Sequence, residues 1–202
     1  FAHNLWINAA TGYAYIFRSD TCQAGTHMVD IRDPLNPVMA GVGCLIGDGA
    51  DSDAECLIYN GPDGDYVGRE ICFVGSDSTV GIGDVTDKDN PVVITNVAYP
   101  NIHRAHQGAL TADHATWLIT DTEDEMMSGV QTNTVIFDVS DLDNPQFVRR
   151  QFYTTTASDH NLYLTGNLAV MTNWRAGLRV VDTTSATDWT EIAFFDTYPP
   201  DD

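Results

Sequence analysis

Three histidines open short phrases of the same design. The chain reads Ala2-His3-Asn4-Leu5, Ala105-His106-Gln107-Gly108 and Asp159-His160-Asn161-Leu162, with His106 and His160 54 residues apart. A fourth copy belongs near residue 53, where Asp53-Ala54-Glu55-Cys56 puts an acid in place of the imidazole. Imidazoles and a carboxylate that converge are the donors of a transition-metal site, and they are equally general acids and bases. The competing reading is structural: each histidine bonds a neighbouring backbone group and plugs the end of a channel.

Two acidic runs offer a second chemistry. Asp48, Asp51, Asp53 and Glu55 fall within eight residues, and Asp121, Glu123, Asp124 and Glu125 within five. Hard oxygen donors in a glycine-containing loop suit Ca²⁺, although neither run fits the EF-hand spacing. The alternative is two solvated acidic loops. No GxSxG, P-loop, GxGxxG or HExxH phrase is present in the sequence.

The four cysteines allow three pairings, and none has the CxxC spacing of a zinc ribbon. Cys22 with Cys44 and Cys56 with Cys72 each bracket one hairpin, so these are the expected bridges. Disulfides imply an oxidising compartment.

Another phrase must position these residues. Val29-Asp30-Ile31-Arg32-Asp33-Pro34-Leu35-Asn36-Pro37 returns around Asp84 and Asp138, and in worn form around Asp182, at steps of 54, 54 and 44 residues. Apolar, β-branched residues flank each leading aspartate, as in a buried strand. Asp-x-x-Asn-Pro then makes a turn, because Asp and Asn side chains bond backbone two residues on and Pro fixes φ. Strand, polar turn and strand make a hairpin, and a period near 50 residues marks a repeat architecture.

Four short strands per repeat predict an all-β fold, a β-propeller with four recognisable blades of four antiparallel strands. The blades read as about 1–44, 53–99, 103–153 and 159–198. Residues 1–202 then form one propeller domain, or part of a larger propeller. No convincing helical stretch is found, and a β-sandwich would need no long-range period. In a propeller the first strand of each blade lines the channel, so His3, Asp53, His106 and His160 are expected around one axis.

Composition limits the partners. Twenty-nine acidic residues against nine basic ones give a formal charge of −20. Such a polyanion is not expected to bind nucleic acid. No apolar run is long enough to span a bilayer, so direct membrane insertion is not expected. The chain opens at Phe1, already inside a predicted strand, which points to a processed product or a piece of a longer chain.

The repeats resemble those of LVIVD type. Thr21-Cys22…His27-Met28-Val29-Asp30-Ile31, Cys56-Leu57-Ile58-Tyr59-Asn60-Gly61-Pro62-Asp63 and Asn173-Trp174-Arg175-Ala176-Gly177-Leu178-Arg179 closely resemble the choice-of-anchor B family of secreted β-propellers, and the likeness runs through essentially the whole chain. That resemblance implies an extracellular or surface-displayed propeller with more blades before Phe1 and further sequence after Asp202. Members usually carry His-Asp where this chain has Ser52-Asp53. The expected function is an extracellular or cell-surface binding or structural module, stabilised by Ca²⁺ and self-assembling or engaging surface proteins or glycans. A metal-dependent enzyme at the central channel is the alternative, and catalysis is the less favoured of the two.

Overall fold

In the computed structural model the strands follow one another in sheets of strict sequence order. Residues 1–185 and 187–199 are described. Ala186, in the fourth copy of the repeat, and 200–202, at the end of the expected domain, lie outside the described residues.

Blade one holds β1 (Leu5–Asn8), β2 (Tyr13–Ile16), β3 (Thr26–Asp30) and β4 (Val38–Leu45). Blade two holds β5 (Asp51–Ile58), β6 (Glu70–Ser76), β7 (Val80–Asp84) and β8 (Val92–Val97). Blade three holds β9 (Ala105–Leu110), β10 (Thr116–Asp121), β11 (Asn133–Asp138) and β12 (Gln146–Phe152). Blade four holds β13 (Leu162–Thr165), β14 (Leu168–Asn173), β15 (Gly177–Asp182) and β16 (Thr190–Phe195). Each is a four-stranded antiparallel meander. Inner strands pack in series, β1 on β5, β5 on β9 and β9 on β13.

The repeated aspartates close the third strand of each blade with one device. Asp30, Asp84, Asp138 and Asp182 each accept a hydrogen bond from the backbone two residues on, at 2.8–3.0 Å. The second aspartate repeats the trick. Asp33, Asp87 and Asp141 accept from the backbone of Leu35, Asp89 and Asp143, and the amides of Asn36 and Asn90 donate back to Asp33 and Asp87. The turn is thus built from local side-chain bonds.

Period-two alternation supplies both faces of the inner blades. In β6, Ile71 and Phe73 join a cluster with Trp117, Val135 and Phe137 of blade three, while Cys72 and Val74 pack with Tyr15, Phe17 and Met28 of blade one. In β10 and β11, Leu118 and Ile136 turn the other way, onto Leu162, Ala169 and Met171 of blade four. Each core cluster therefore fills one seam between blades. The end blades each leave one face uncovered, so Leu5, Ile7 and Met39 of blade one and Tyr163 and Phe195 of blade four are exposed.

Among the described residues one α-helix departs from the all-strand expectation, with two three-residue 3-10 turns at Asp20–Cys22 and Trp174–Ala176. α1 (Asp124–Ser128) is a single turn around the helix formers Glu125, Met126 and Met127 with an acid in its first turn, and Gly129 ends it at φ 66° while its N–H bonds the Glu125 carbonyl. Among the described residues no helix is long and apolar enough to cross a membrane.

Both disulfides form as the hairpin bracketing predicts, Cys22–Cys44 and Cys56–Cys72, and no free cysteine remains. The second joins directly opposed residues of β5 and β6. Its closed loop spans 16 residues of sequence. Replacing Cys56 and Cys72 by alanine is expected to lower unfolding free energy by about 3 kcal/mol, read from urea denaturation.

Candidate functional site

The three histidines meet. His3 and His106 have ring centroids 5.5 Å apart, edge to face, and His106 and His160 lie 4.2 Å apart. His106 sits on β9, whereas His3 and His160 immediately precede the inner strands of their blades. Gly75 on β6 makes room, since a Cβ there would stand 2.6 Å from the His106 carbonyl oxygen.

Their hydrogen bonds differ. His3 Nδ1 lies 2.7 Å from the Ser52 carbonyl, which matches the structural plug. His160 Nδ1 meets the side-chain oxygen of its neighbour Asn161. His106 is buried, and neither of its ring nitrogens has a hydrogen-bond partner. Burial, reinforced by the facing His160 and His3 rings, pushes the His106 pKa down to about 3, so the ring is neutral.

Asp53 does not join the cavity lining. It is buried on β5, where its carboxylate accepts from Asn4 Nδ2 and from the Ala54 N–H. The expected fourfold ring is therefore a row of three imidazoles.

The histidines line a cavity of about 780 Å³ with Arg104, Glu123, Glu125, Trp174 and Arg175. Arg104 is engaged by Glu123 at 2.9 Å and by Asp77 at 3.2 Å. Trp174 stands at the entrance, 66% exposed, and meets His160 edge to face at 5.6 Å. Its φ of 29° is left-handed, an uncommon backbone state that clusters at binding sites. A second cavity, of about 470 Å³, shares His160 and Trp174 as its wall. An exposed tryptophan suits carbohydrate contact, but a single one such as Trp174 is expected from sequence to be packed, and here it is exposed.

The first acidic run is not a loop. Asp51, Asp53 and Glu55 lie on β5, and their partners come from neighbouring blades. Thr26 Oγ1 donates to Asp51 at 2.7 Å, and the Leu110 N–H donates to Glu55 at 3.1 Å. Burial pushes Asp51 and Asp53 up to about 6. Asp48 stands apart in the preceding turn, where its carbonyl accepts from Ser76 and Thr79. These carboxylates serve the seams and do not surround one point.

The second run folds inward at the opposite seam. Asp121 ends β10, Asp124 and Glu125 ride on α1, and all three are buried. Asp121 accepts the Tyr99 hydroxyl at 2.9 Å and the Arg104 N–H at 2.7 Å. Asp124 accepts Asn133 Nδ2 and pairs with Arg150. Glu123 stays half-exposed at the cavity wall. Burial first, then the Asp124 charge, pushes Glu125 up to about 8. Asp159, wholly buried beside them, is raised for the same reasons.

A third grouping had no signal in the sequence, because its members are far apart in the chain. Asp63, Asp141 and Asp143 bring carboxylate oxygens within 4.8 Å of one another across blades two and three, at the surface.

No protein-family model matches the chain, and no curated protein matches it. Solved structures do. A functionally unknown protein of Desulfotomaculum acetoxidans aligns with 97% of this chain and 56% of its own, at 15% identity and TM-score 0.66. A periplasmic gluconolactonase of Pseudomonas aeruginosa aligns with 98% and 54%, at 14% identity and TM-score 0.64. A protein of Lactobacillus plantarum aligns with 97% and 57%, at 12% identity and TM-score 0.65. The fold is a β-propeller. The chain spans about half the length of these matched structures.

The buried groups set a pH dependence of stability. A carboxyl that holds its proton more tightly when folded stabilises at low pH, and this is lost as pH climbs from the unfolded value toward the folded one. For Glu125 the window runs from 4.5 to about 8. Asp51 and Asp53 finish their loss near pH 6. His106 acts oppositely, its contribution complete above 6.5 and lost below it. Between pH 6.5 and 8 the carboxyls decide. In chelating buffer, stability is expected to fall across that interval by up to about 1.4 kcal/mol per pH unit for each carboxyl that ionises. Urea titrations of the wild type and Glu125→Gln check this, and the variant should show the shallower slope.

Proposed function

We propose that this chain is an extracellular or cell-surface binding module whose hub cavity takes a glycan. One observation carries the reading: His106, buried at the meeting of three imidazoles, leaves both ring nitrogens without a hydrogen-bond partner beside a cavity of about 780 Å³. A buried polar group with no partner is costly, and a ligand hydroxyl that could donate to or accept from the ring would remove the cost. Trp174 at the entrance offers the exposed aromatic face on which a sugar ring stacks. The rim cations are engaged by carboxylates or other groups, so a neutral saccharide fits better than an anionic one.

Two disulfides and the resemblance to choice-of-anchor B propellers with LVIVD-type repeats support the extracellular setting. Calcium, at the acidic clusters, is the stabilising ion in this reading. Titration with neutral oligosaccharides should change tryptophan fluorescence, and Trp174→Ala should weaken binding at least tenfold, about 1.4 kcal/mol, with the melting temperature unchanged. A panel without a single binder, or an unaltered affinity in the variant, overturns the reading.

Self-association is the second element of the proposal. The uncovered apolar faces of blades one and four are counterparts of faces that pack against each other at every internal seam. A formal charge of −20 on each copy opposes their meeting. Sedimentation velocity should therefore show the oligomer fraction rising as NaCl is raised from millimolar to physiological strength.

A metal-dependent enzyme is the second reading, favoured by the same unpartnered nitrogens of His106. The matched gluconolactonase shares the fold at 14% identity and lends this reading no residue. Stoichiometric zinc, copper or iron in the purified protein would support it over the first.

A further inference from the structure

We propose that Asp124, Glu125 and Asp159 form a calcium clamp across the seam between blades three and four. The proposal rests on the calcium part of the function proposed above and is independent of the hub ligand. It stands on three buried oxygens with no N–H or hydroxyl donor to satisfy them, Asp124 Oδ1, Glu125 Oε2 and Asp159 Oδ1, the first two on carboxyls that meet each other. Their side chains are among the least accessible in the molecule, at 1%, 6% and 0% exposure.

The surrounding groups are already committed. Asp121 has its oxygens filled by the Tyr99 hydroxyl and by the N–H groups of His103 and Arg104. Arg150, on β12, divides its guanidinium among Asp124, Asn133 and the carbonyls of Pro100 and Asn101, and lies 3.6 Å from Asp121. Arg150 thus answers Asp121 and Asp124 while Glu125 and Asp159 have no cation, a net charge of −3 over the four carboxylates and one guanidinium when all are ionised. An unpaired buried charge is costly, so the cluster must take up protons or a cation.

The donors select the cation. All are hard oxygens, with no imidazole or thiolate among them, which suits Ca²⁺ and not a first-row transition metal. Asp124 and Glu125 come from α1 and Asp159 from the approach to β13, so one ion would tie the helix to the next blade. The two are already in register, since the Asp159 N–H donates to Glu125 Oε1 at 3.3 Å and the Asp121 N–H to Asp159 Oδ2 at 3.4 Å. The free oxygens are spread more widely than those of Asp63, Asp141 and Asp143. Binding would draw them together, and the long Glu125 side chain has the reach.

Thermal unfolding of the full chain at pH 7.5 tests the clamp, with ionic strength matched by NaCl in calcium and in EDTA. Calcium at a hundredfold excess over its dissociation constant should raise the wild-type midpoint by roughly 5–10 °C. Asp143→Asn, in the exposed cluster, should keep the shift. Asp159→Asn should lose it, yet melt in EDTA no lower than the wild type, because a buried carboxyl without a cation carries a cost that the amide does not. Glu125→Gln makes the same comparison should Asp159→Asn fail to fold. A wild type indifferent to calcium overturns the proposal, as does an equal shift in both buried-site variants. A shift lost only in Asp143→Asn assigns the ion to the surface and overturns it too. Indifference to calcium together with a higher midpoint at pH 5 than at pH 7.5 would mean that protons hold the cluster.

Discussion

A four-stranded blade cannot satisfy itself, and the seams between blades are where the molecule is decided. Each seam combines an apolar cluster with polar groups that bond across it. Glu55 on β5 accepts the Leu110 N–H of β9, and Gln107 on β9 accepts the Leu162 N–H of β13 at 2.6 Å. Donor and acceptor are 55 residues apart in both cases, one repeat away. At the first seam Glu70, buried, gathers Asn8 and Thr11 from blade one and Lys88 from its own blade. Such groups lose their partners if a blade slips, and an orphaned buried polar group costs about 1–3 kcal/mol. Apolar packing holds the blades together, and these bonds set the register in which they meet.

That register builds the hub. His3, His106 and His160 arrive from three blades, so their contact depends on the seam bonds. Close approach is part of it. Gly41, at φ 54°, could not carry a side chain, because its Cβ would stand 1.9 Å from the Lys88 carbonyl oxygen of blade two. Gly75 plays the same part beside His106. Desolvation at the hub then keeps His106 neutral, and a neutral imidazole can both donate and accept.

The parts legible in the sequence are those whose physics is local. The aspartates at 30, 84, 138 and 182 bond backbone two residues away, so chain order alone reveals the turn. Each cysteine pair flanks a hairpin. His106 and His160 stand out because a repeat displays equivalent positions at equal steps. The acidic runs were harder. Asp51, Asp53 and Glu55 look like a loop beside Gly49, yet their acceptor roles are to Thr26, Asn4 and Leu110, and those partners are 25 to 55 residues distant. Asp159 gave no hint of joining Asp124 and Glu125, because the grouping exists only once blade four has docked. The single turn of α1 is too short for periodicity to register.

The seams are not equally neutral, and this bears on function. Glu70 at the first seam has a cation, Lys88, at 2.8 Å. At the second seam, Tyr66 and the Leu142 N–H answer Asp143 and Asp63 near the surface, where water screens what remains. The third seam gathers the buried carboxylates at one place, Asp121, Asp124, Glu125 and Asp159 beside the single guanidinium of Arg150, whereas Asp51, Asp53 and Glu55 at the other two seams are spread along β5. It is also the seam that borders the hub cavity, through Glu125 on one side and His160 and Trp174 on the other. Under the calcium proposal, whatever neutralises Asp124, Glu125 and Asp159 would act on the cavity wall that carries Glu125 and on the approach to β13 beside His160. Charge compensation in the interior and shape at the cavity wall then share one residue, Glu125, which belongs both to the buried cluster and to the cavity lining.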